Sequence, residues 1–303
     1  MKTSDGTALD NTELTVAAVA RLLGVAPATL RTWDRRYGLG PTIHSAGDHR
    51  RYSPEDVAVL GAMRRLVIMG VAPADAAERA KSGEVAAPSS KPLFAGTCPH
   101  VDYSQSEILL RAAHSFNREI LENVIRKEIS ENGVVEAWNC VLMPLLVRIG
   151  EQWASDGSGI ETEHFVTEIV KRVLAEPLSQ IKNPINARPV LLACVGEEIH
   201  SLAIRALAAA LAEINIDSQF LGARTPQSAL NEVIRRSAPP AIFLWAQLQE
   251  NASLDFVHDI PAIRPAPRII VGGPGWLGTD CTDAVYTSDL VGARTEIARA
   301  IGA

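Results

Sequence analysis

Between Ser106 and Gln180 the apolar residues recur at intervals of three and four, the period of a helix with one buried face. Ile120, Leu121, Val124, Ile125 and Ile129 share one such face; Val134, Val135, Trp138, Val141, Leu142, Leu145, Leu146 and Ile149 form a second. Phe165, Val166, Ile169, Val170, Val173 and Leu174 form a third. With a helix from Ser106 to Phe116 they predict a four-helix bundle. Pro144 falls inside the third helix and is expected to bend it. After "NPINARP" the period changes to short apolar runs, "PVLLAC", "IDSQFL", "AIFLW" and "RIIVGG", with helical stretches between them. The tail "DAVYTSDLVGARTEIARAIG" adds a last strand and helix. Strands alternating with helices predict a parallel sheet covered on both faces, a small doubly wound, Rossmann-like (flavodoxin-like) domain. Its ligand site is expected at the carboxyl ends of the strands. His200 falls at such an end, after the first strand.

The first third of the chain is patterned differently. "TVAAVARLLGVAPATLRTWDRRYGL" reads as two short helices around Gly24, with Pro27 in the first turn of the second, where its missing N–H costs nothing. A Gly-containing turn, the cluster His49, Arg50, Arg51 and Tyr52, and a helix start at Ser53-Pro54-Glu55-Asp56 follow. Ser53 suits the N-cap, and the acids suit the positive end of that helix. The arrangement is a helix-turn-helix with a basic wing. Residues 1–12 are polar, and residues 83–103, rich in Pro, Ser, Gly and Ala, read as a linker. The expected organisation is therefore multidomain: an all-α winged helix-turn-helix over 1–82, the linker over 83–103, the bundle over 104–183 and the α/β sheet domain over 184–303.

Charge sharpens this division. The 303-residue chain carries −6, yet residues 14–82 hold ten Lys/Arg against six Asp/Glu, or +4, which leaves −10 on the remainder. A basic block on an acidic body points to one part that meets polyanions and another that does not. No run approaches 18 apolar residues and no signal-like segment precedes the first helix, so no membrane partner and a cytoplasmic location are expected. Cys98, Cys140, Cys194 and Cys281 lie far apart and form no metal-type pair, and a reducing compartment is the simplest reading.

"TLRTWDRRYGL" and "HRRYSPEDV" resemble the recognition helix and wing of the MerR family of transcription regulators, over about residues 14–80. That resemblance implies contacts to double-stranded DNA from Thr29, Arg31, Trp33, Arg35, Arg36 and Tyr37 on the helix and from His49, Arg50, Arg51 and Tyr52 on the wing. The chain departs from the family where a long dimerising coiled coil is usual. Here the linker comes instead, so self-association is expected through later segments.

In "GEQWASDGSGIETEHF" Trp153 is followed ten positions later by Glu163-His164. By spacing, Glu163 shares a face with Val166, Val170 and Val173, which turns it toward the bundle interior or a cavity at its end. The stretch resembles the cap of cobalamin-binding regulators of the CarH and LitR type, in which Trp and Glu cover the upper face of the corrin. The sheet domain resembles the same family. Its Asp/Glu-x-His-x-x-Gly fingerprint reads here Glu198-Ile199-His200-Ser201-Leu202-Ala203, and "LGARTP" and "GGPG" match later positions. The resemblance implies His200 as lower axial cobalt ligand, Glu198 as its partner, and Thr225, Trp245, Gly272 and Gly273 as cofactor-binding positions, for adenosylcobalamin or another corrinoid. Ala203 stands where the family has glycine, and Trp245 where it has a serine beside the nucleotide tail; Trp276 follows the "GGPG" turn and is expected to crowd the same region. Ala154 stands where the light-sensing branch has histidine.

These observations point to a non-enzymatic, homo-oligomeric regulator that reads a small molecule at the interface of cap and sheet and controls assembly on an operator. Two alternatives stay open: a degenerate sensor answering a non-corrinoid ligand or a protein partner, and a corrinoid methyltransferase module, which shares bundle and sheet but lacks an arginine-rich helix-turn-helix.

Overall fold

A computed structural model describes residues 14–23, 25–44, 50–68, 73–82, 94, 96, 98, 103–156 and 159–303. Contacts divide the chain into two units, residues 1–90 with 150–160, and residues 91–149 with 161–303.

In the first unit β1 (Leu14–Thr15) leads into α1 (Val16–Leu22) and α2 (Pro27–Tyr37). The wing follows as β2 (Ile43–His44) and β3 (Arg50–Tyr52), then α3 (Pro54–Ile68) and α4 (Pro73–Ser82). The strands form an antiparallel sheet in the order β1-β3-β2, pairing Leu14 with Tyr52 and Ile43 with Arg51. Thr15 caps α1 by accepting from the Ala18 N–H. Pro27 occupies the first turn of α2, and Gly38 ends it at φ +65°, a conformation glycine adopts without strain. Leu30, Trp33, Tyr52, Leu60 and Met63 lie in one buried core.

The second unit opens with α5 (Tyr103–His114), α6 (Arg118–Ala137), α7 (Met143–Asp156, of which residues from 150 are assigned to the first unit) and α8 (Ile160–Ala175). Gly133, at φ +83° and ψ 166°, interrupts the helical run within α6, in a region open only to glycine. The Val134 N–H released there is accepted by Glu213 at 2.8 Å. The disturbance expected from Pro144 takes the form of a π turn over Trp138–Leu142, just before it. A proline ring clashes with the carbonyl four residues back, here that of Cys140, and the wider π turn spans that position.

The sheet is parallel and five-stranded: β4 (Val190–Cys194), β5 (Ser218–Phe220), β6 (Ala241–Trp245), β7 (Arg268–Gly272) and β8 (Val285–Thr287), in the order β5-β4-β6-β7-β8. The crossovers carry α9 (Leu202–Glu213), α10 (Gln227–Ser237), the short α11 (Asp255–His258) and, after β8, α12 (Leu290–Ile301). β4 and β6 are buried at every position, as strands covered on both faces must be. Their residues alternate between two core layers. Phe243 and Trp245 join the layer containing α9 and α12, and Ile242 and Leu244 join the layer containing α10. α9, "LAIRALAAALAE", is buried over most of its circumference because the sheet and the bundle both pack on it, and its run of alanines allows that approach. Strand order reverses between β4 and β6, and the crevice at such a switch point is where doubly wound sheets place ligands.

Candidate functional site

The loops after β4 and β6 meet at this switch point, and Glu198 joins them. Its side chain is fully buried. One oxygen accepts from the His200 N–H at 2.9 Å and from His200 Nδ1 at 2.5 Å. The other accepts from the Gln247 and Leu248 N–H groups at 2.8 and 3.1 Å, and from Asn251 Nδ2 at 3.1 Å. Burial would raise the Glu198 carboxyl, but the His200 ring bond and charge, with the N–H groups of His200 and Leu248, outweigh it and hold the carboxyl at about 2. A carboxylate only accepts, so Nδ1 carries a proton in either form of the ring, and Nε2 is the nitrogen that offers a lone pair when the ring is neutral. The His200 side chain is 34% exposed, and no partner for Nε2 occurs among the described residues. The result is an oriented imidazole with one ring nitrogen available to an electrophile or a metal, a carboxylate–histidine arrangement.

The surrounding backbone is tightly specified. Thr225, buried, donates its N–H to the Cys194 carbonyl and its hydroxyl to Gly222. Gly273 lies at φ +104°, and a Cβ there would stand 2.2 Å from the Ala246 carbonyl oxygen, so only glycine lets β6 and β7 end this close together. Burial pushes the Cys194 thiol up, which makes it a packing group.

The space on the α9 side of the sheet is filled. Trp245 is fully buried there, as is Ala203, and Phe94 packs edge-on to the indole with ring centroids 5.1 Å apart. Trp276 lies in the opposite core layer, so it does not crowd the Trp245 region as the sequence suggested. Phe94, Gly96 and Cys98 fall within the stretch read as a linker, and a disulfide joins Cys98 to Cys140. The expectation of four separate cysteines is corrected, because folding brings together two that are 42 positions apart.

At the start of α8, Glu163 and His164 are both exposed, and Glu163 accepts from the Thr167 hydroxyl one turn on. Glu163 therefore does not turn into the bundle; Thr162 and Val166 take the inward positions. Trp153 is helical, and its side chain lies outside the described residues. No cluster of three metal-ligating side chains occurs among the described residues.

In the first unit α2 presents Arg31, Arg35 and Arg36 to solvent, with Thr29 and Tyr37 half-buried. Arg51 on β3 is exposed; His49 and the side chain of Arg50 lie outside the described residues. Trp33 and Tyr52, expected among the contacts, are instead core residues, 7% and 1% exposed. Each apolar ring sits on the inner face of its element, one residue from an outward arginine or two. Sequence reading passed over Asp56 beyond its charge. Its carboxylate accepts the N–H groups of Ser53 and Thr42 and the Thr42 hydroxyl, while its own N–H donates to Ser53 Oγ. Burial opposes this charge, but the Ser53 and Thr42 bonds prevail and hold Asp56 below the ordinary carboxylate range. Asp56 thus fastens the base of the wing to the start of α3. The signal was Ser-x-x-Asp, a variant of the reciprocal capping pattern.

Residues 14–82 match the family described as MerR HTH family regulatory protein, and residues 106–176 match the B12 binding domain. The chain is 28% identical over 268 residues to the HTH-type transcriptional repressor CarH of Myxococcus xanthus, covering 86% of each chain. It is 25% identical over 272 residues to the HTH-type transcriptional repressor CarA of the same organism, covering 86% of this chain and 87% of that one. A solved cobalamin-binding protein from Desulfitobacterium hafniense DCB-2 is 14% identical and aligns over 65% of this chain and 98% of its own, with a TM-score of 0.32.

Proposed function

We infer the function of this chain from its two domains, a MerR-type helix-turn-helix domain and a B12-binding domain, and from its distant homology over most of its length to the CarH and CarA repressors. It is a DNA-binding transcription regulator. Its finer reading is that the α2 arginines and the wing hold duplex DNA, that a ligand is read at the switch-point loops around His200, and that ligand occupancy biases self-association through the bundle and sheet. A ligand that binds one assembly state in preference shifts the protein toward it by mass action, and linking several basic domains multiplies their hold on one operator. The relatives are repressors, which favours the same sign here and favours a regulator over an enzyme.

The observation that carries the DNA reading is the exposure of Arg31, Arg35 and Arg36 on α2 and of Arg51 on the wing, over a core that contains Trp33 and Tyr52. The experiment is DNA binding by the full chain as a function of salt. Affinity should fall steeply, and each lost phosphate contact should lower the log–log slope by about 0.9. If Arg31→Ala and Arg51→Ala leave affinity and slope unchanged, the interface lies elsewhere.

For a corrinoid the fit is divided. His200, held by Glu198 with Nε2 available, suits an axial ligand, and neutral imidazole serves such metals well. Glu163 and His164 are the groups proposed to meet the opposite side of a bound ligand. The region where the family resemblance expects the nucleotide tail does not fit, because Trp245 and Phe94 occupy it. That filling favours, as a second reading, a ligand without such a tail or a protein partner. Absorption spectra of the protein with cobalamin, and of His200→Ala with cobalamin, separate these readings: a histidine-ligated spectrum lost in the variant supports the corrinoid.

A further inference from the structure

Arg205 is the only polar residue of α9 before Glu213, and packing does not account for it. The helix is buried against sheet and bundle, where an unbranched apolar side chain would pack without desolvating a charge. The Arg205 side chain lies over the edge strand β5, with Cζ 5.0 Å from the centre of the Phe220 ring. Such a stack offsets part of the lost hydration but answers none of the N–H groups. Nε is buried without an acceptor, and the guanidinium makes no ion pair or hydrogen bond among the described residues. Glu168 on α8 is within reach of its charge, yet that carboxylate is held by Lys171 at 2.8 Å.

Arg205 borders an open cleft of about 600 Å³. The cleft is lined by β5, by Pro189 and Gly222, and by Leu178 of the 3₁₀ turn Pro177–Gln180. β5 is a free edge of the sheet. Its bonds to β4 run through the Asp217 carbonyl and the Leu221 N–H. Alternate residues of a parallel strand serve one neighbour, so Ser218 and Phe220 turn their amide groups away from β4. Side chains alternate too: Phe220 packs on the α9 layer and Leu221 on the opposite one. Ser218 therefore stands with Phe220 on the Arg205 side, and Asp217 on the far face.

We propose that this cleft is a ligand site separate from the His200 loops, and that it takes a small organic oxyanion. The anionic group, a carboxylate or a phosphate monoester, sits in the fork of Arg205, with an aromatic or aliphatic body against Phe220, Leu178 and Pro189. A guanidinium offers two parallel N–H donors to two oxygens of such a group, which an ammonium does not. The Ser218 hydroxyl and the outward amides supply further donors. Binding here does not depend on what the His200 loops hold.

The test uses the full chain and ligand-observed NMR titrations with benzoate, phenyl phosphate and benzamide, the last a neutral counterpart of benzoate. At least one of the two anions should saturate wild type with a Kd on the order of 1 mM or tighter, and benzamide should not. Arg205→Met should weaken that anion by about tenfold or more, the size of a lost charge-assisted pair. Phe220→Leu, which spares the charge and removes the ring, should weaken it severalfold, and His200→Ala should bind as wild type does. The tighter of the two anions assigns the class, carboxylate or phosphate monoester. The proposal is overturned if neither anion saturates wild type, if benzamide binds as well as benzoate, or if Arg205→Met binds unchanged. Loss of binding in His200→Ala overturns the separate site, because it moves the anion to the switch-point loops. Thermal unfolding of each variant shows whether it is folded; should Arg205→Met not fold, Phe220→Leu decides, and unchanged binding in it overturns the proposal.

Discussion

At the scale of single residues, the two fixed points of this molecule are buried carboxylates that organise polar loops. Glu198 collects five donors from the loops after β4 and β6 and from the short helical turn that follows. Replacing it by Gln keeps the shape but turns half of its acceptor capacity into a donor facing N–H groups. Glu198→Gln should therefore cost about 1–3 kcal/mol at neutral pH, measured by urea denaturation. The sign with pH follows from the direction of the shift. The carboxyl is lowered from 4.5 to about 2, so its contribution is complete above 4.5 and is lost as pH falls toward 2. The difference between wild type and Glu198→Gln should shrink between those values; a difference that grows on acidification would contradict the assignment. Asp56 plays the corresponding part at the wing, where it ties Thr42 to the start of α3.

At the scale of elements, interruptions do as much as regular helices. Gly133 breaks α6, and Glu213 of α9 receives the N–H that the break releases. Burial raises the Glu213 carboxyl against the pull of that bond, so the contact joins bundle to sheet domain at the edge of the core. A Cβ at Gly133 would meet Glu213 Oε1 at 3.5 Å, an ordinary contact, so the cost of Gly133→Ala is one of backbone conformation. It should amount to about 1–3 kcal/mol by chemical denaturation. A neutral result would mean that the helix closes through this position without penalty. The π turn before Pro144 is the second interruption, and its Trp138, Asn139 and Cys140 bond to Phe94, Gly96 and Cys98.

For the molecule as a whole, the two contact units own separate cores: Leu30, Trp33 and Leu60 belong to one, and α9 with the bundle and sheet to the other. Calorimetry should show two transitions. Leu30→Ala, which removes a fully buried side chain at a cost of about 2–5 kcal/mol, should move only one of them, and Gly133→Ala only the other. One shared transition displaced by both substitutions would show the units unfolding together. Read along the chain, periodicity was enough for the bundle and the alternating α/β domain, because apolar spacing reports which face of an element is buried, and the basic winged helix was read from turn residues, capping and charge. The place of His200 at a strand end was legible from the pattern too, whereas its pairing with Glu198 was legible only through the family resemblance. Other features were decided by tertiary contacts. Trp33 and Tyr52 turned inward where their charged neighbours turned out, because the three-stranded wing and α2 share one small core. Glu163 faced outward, since Thr162 and Val166 filled the inward positions of α8. Phe94 carried no periodic signal at all: an isolated aromatic in a Pro-rich stretch has no local pattern to betray it. Its burial depends on Trp245, Gly272 and the π turn, elements far along the chain that only the folded structure brings to one place.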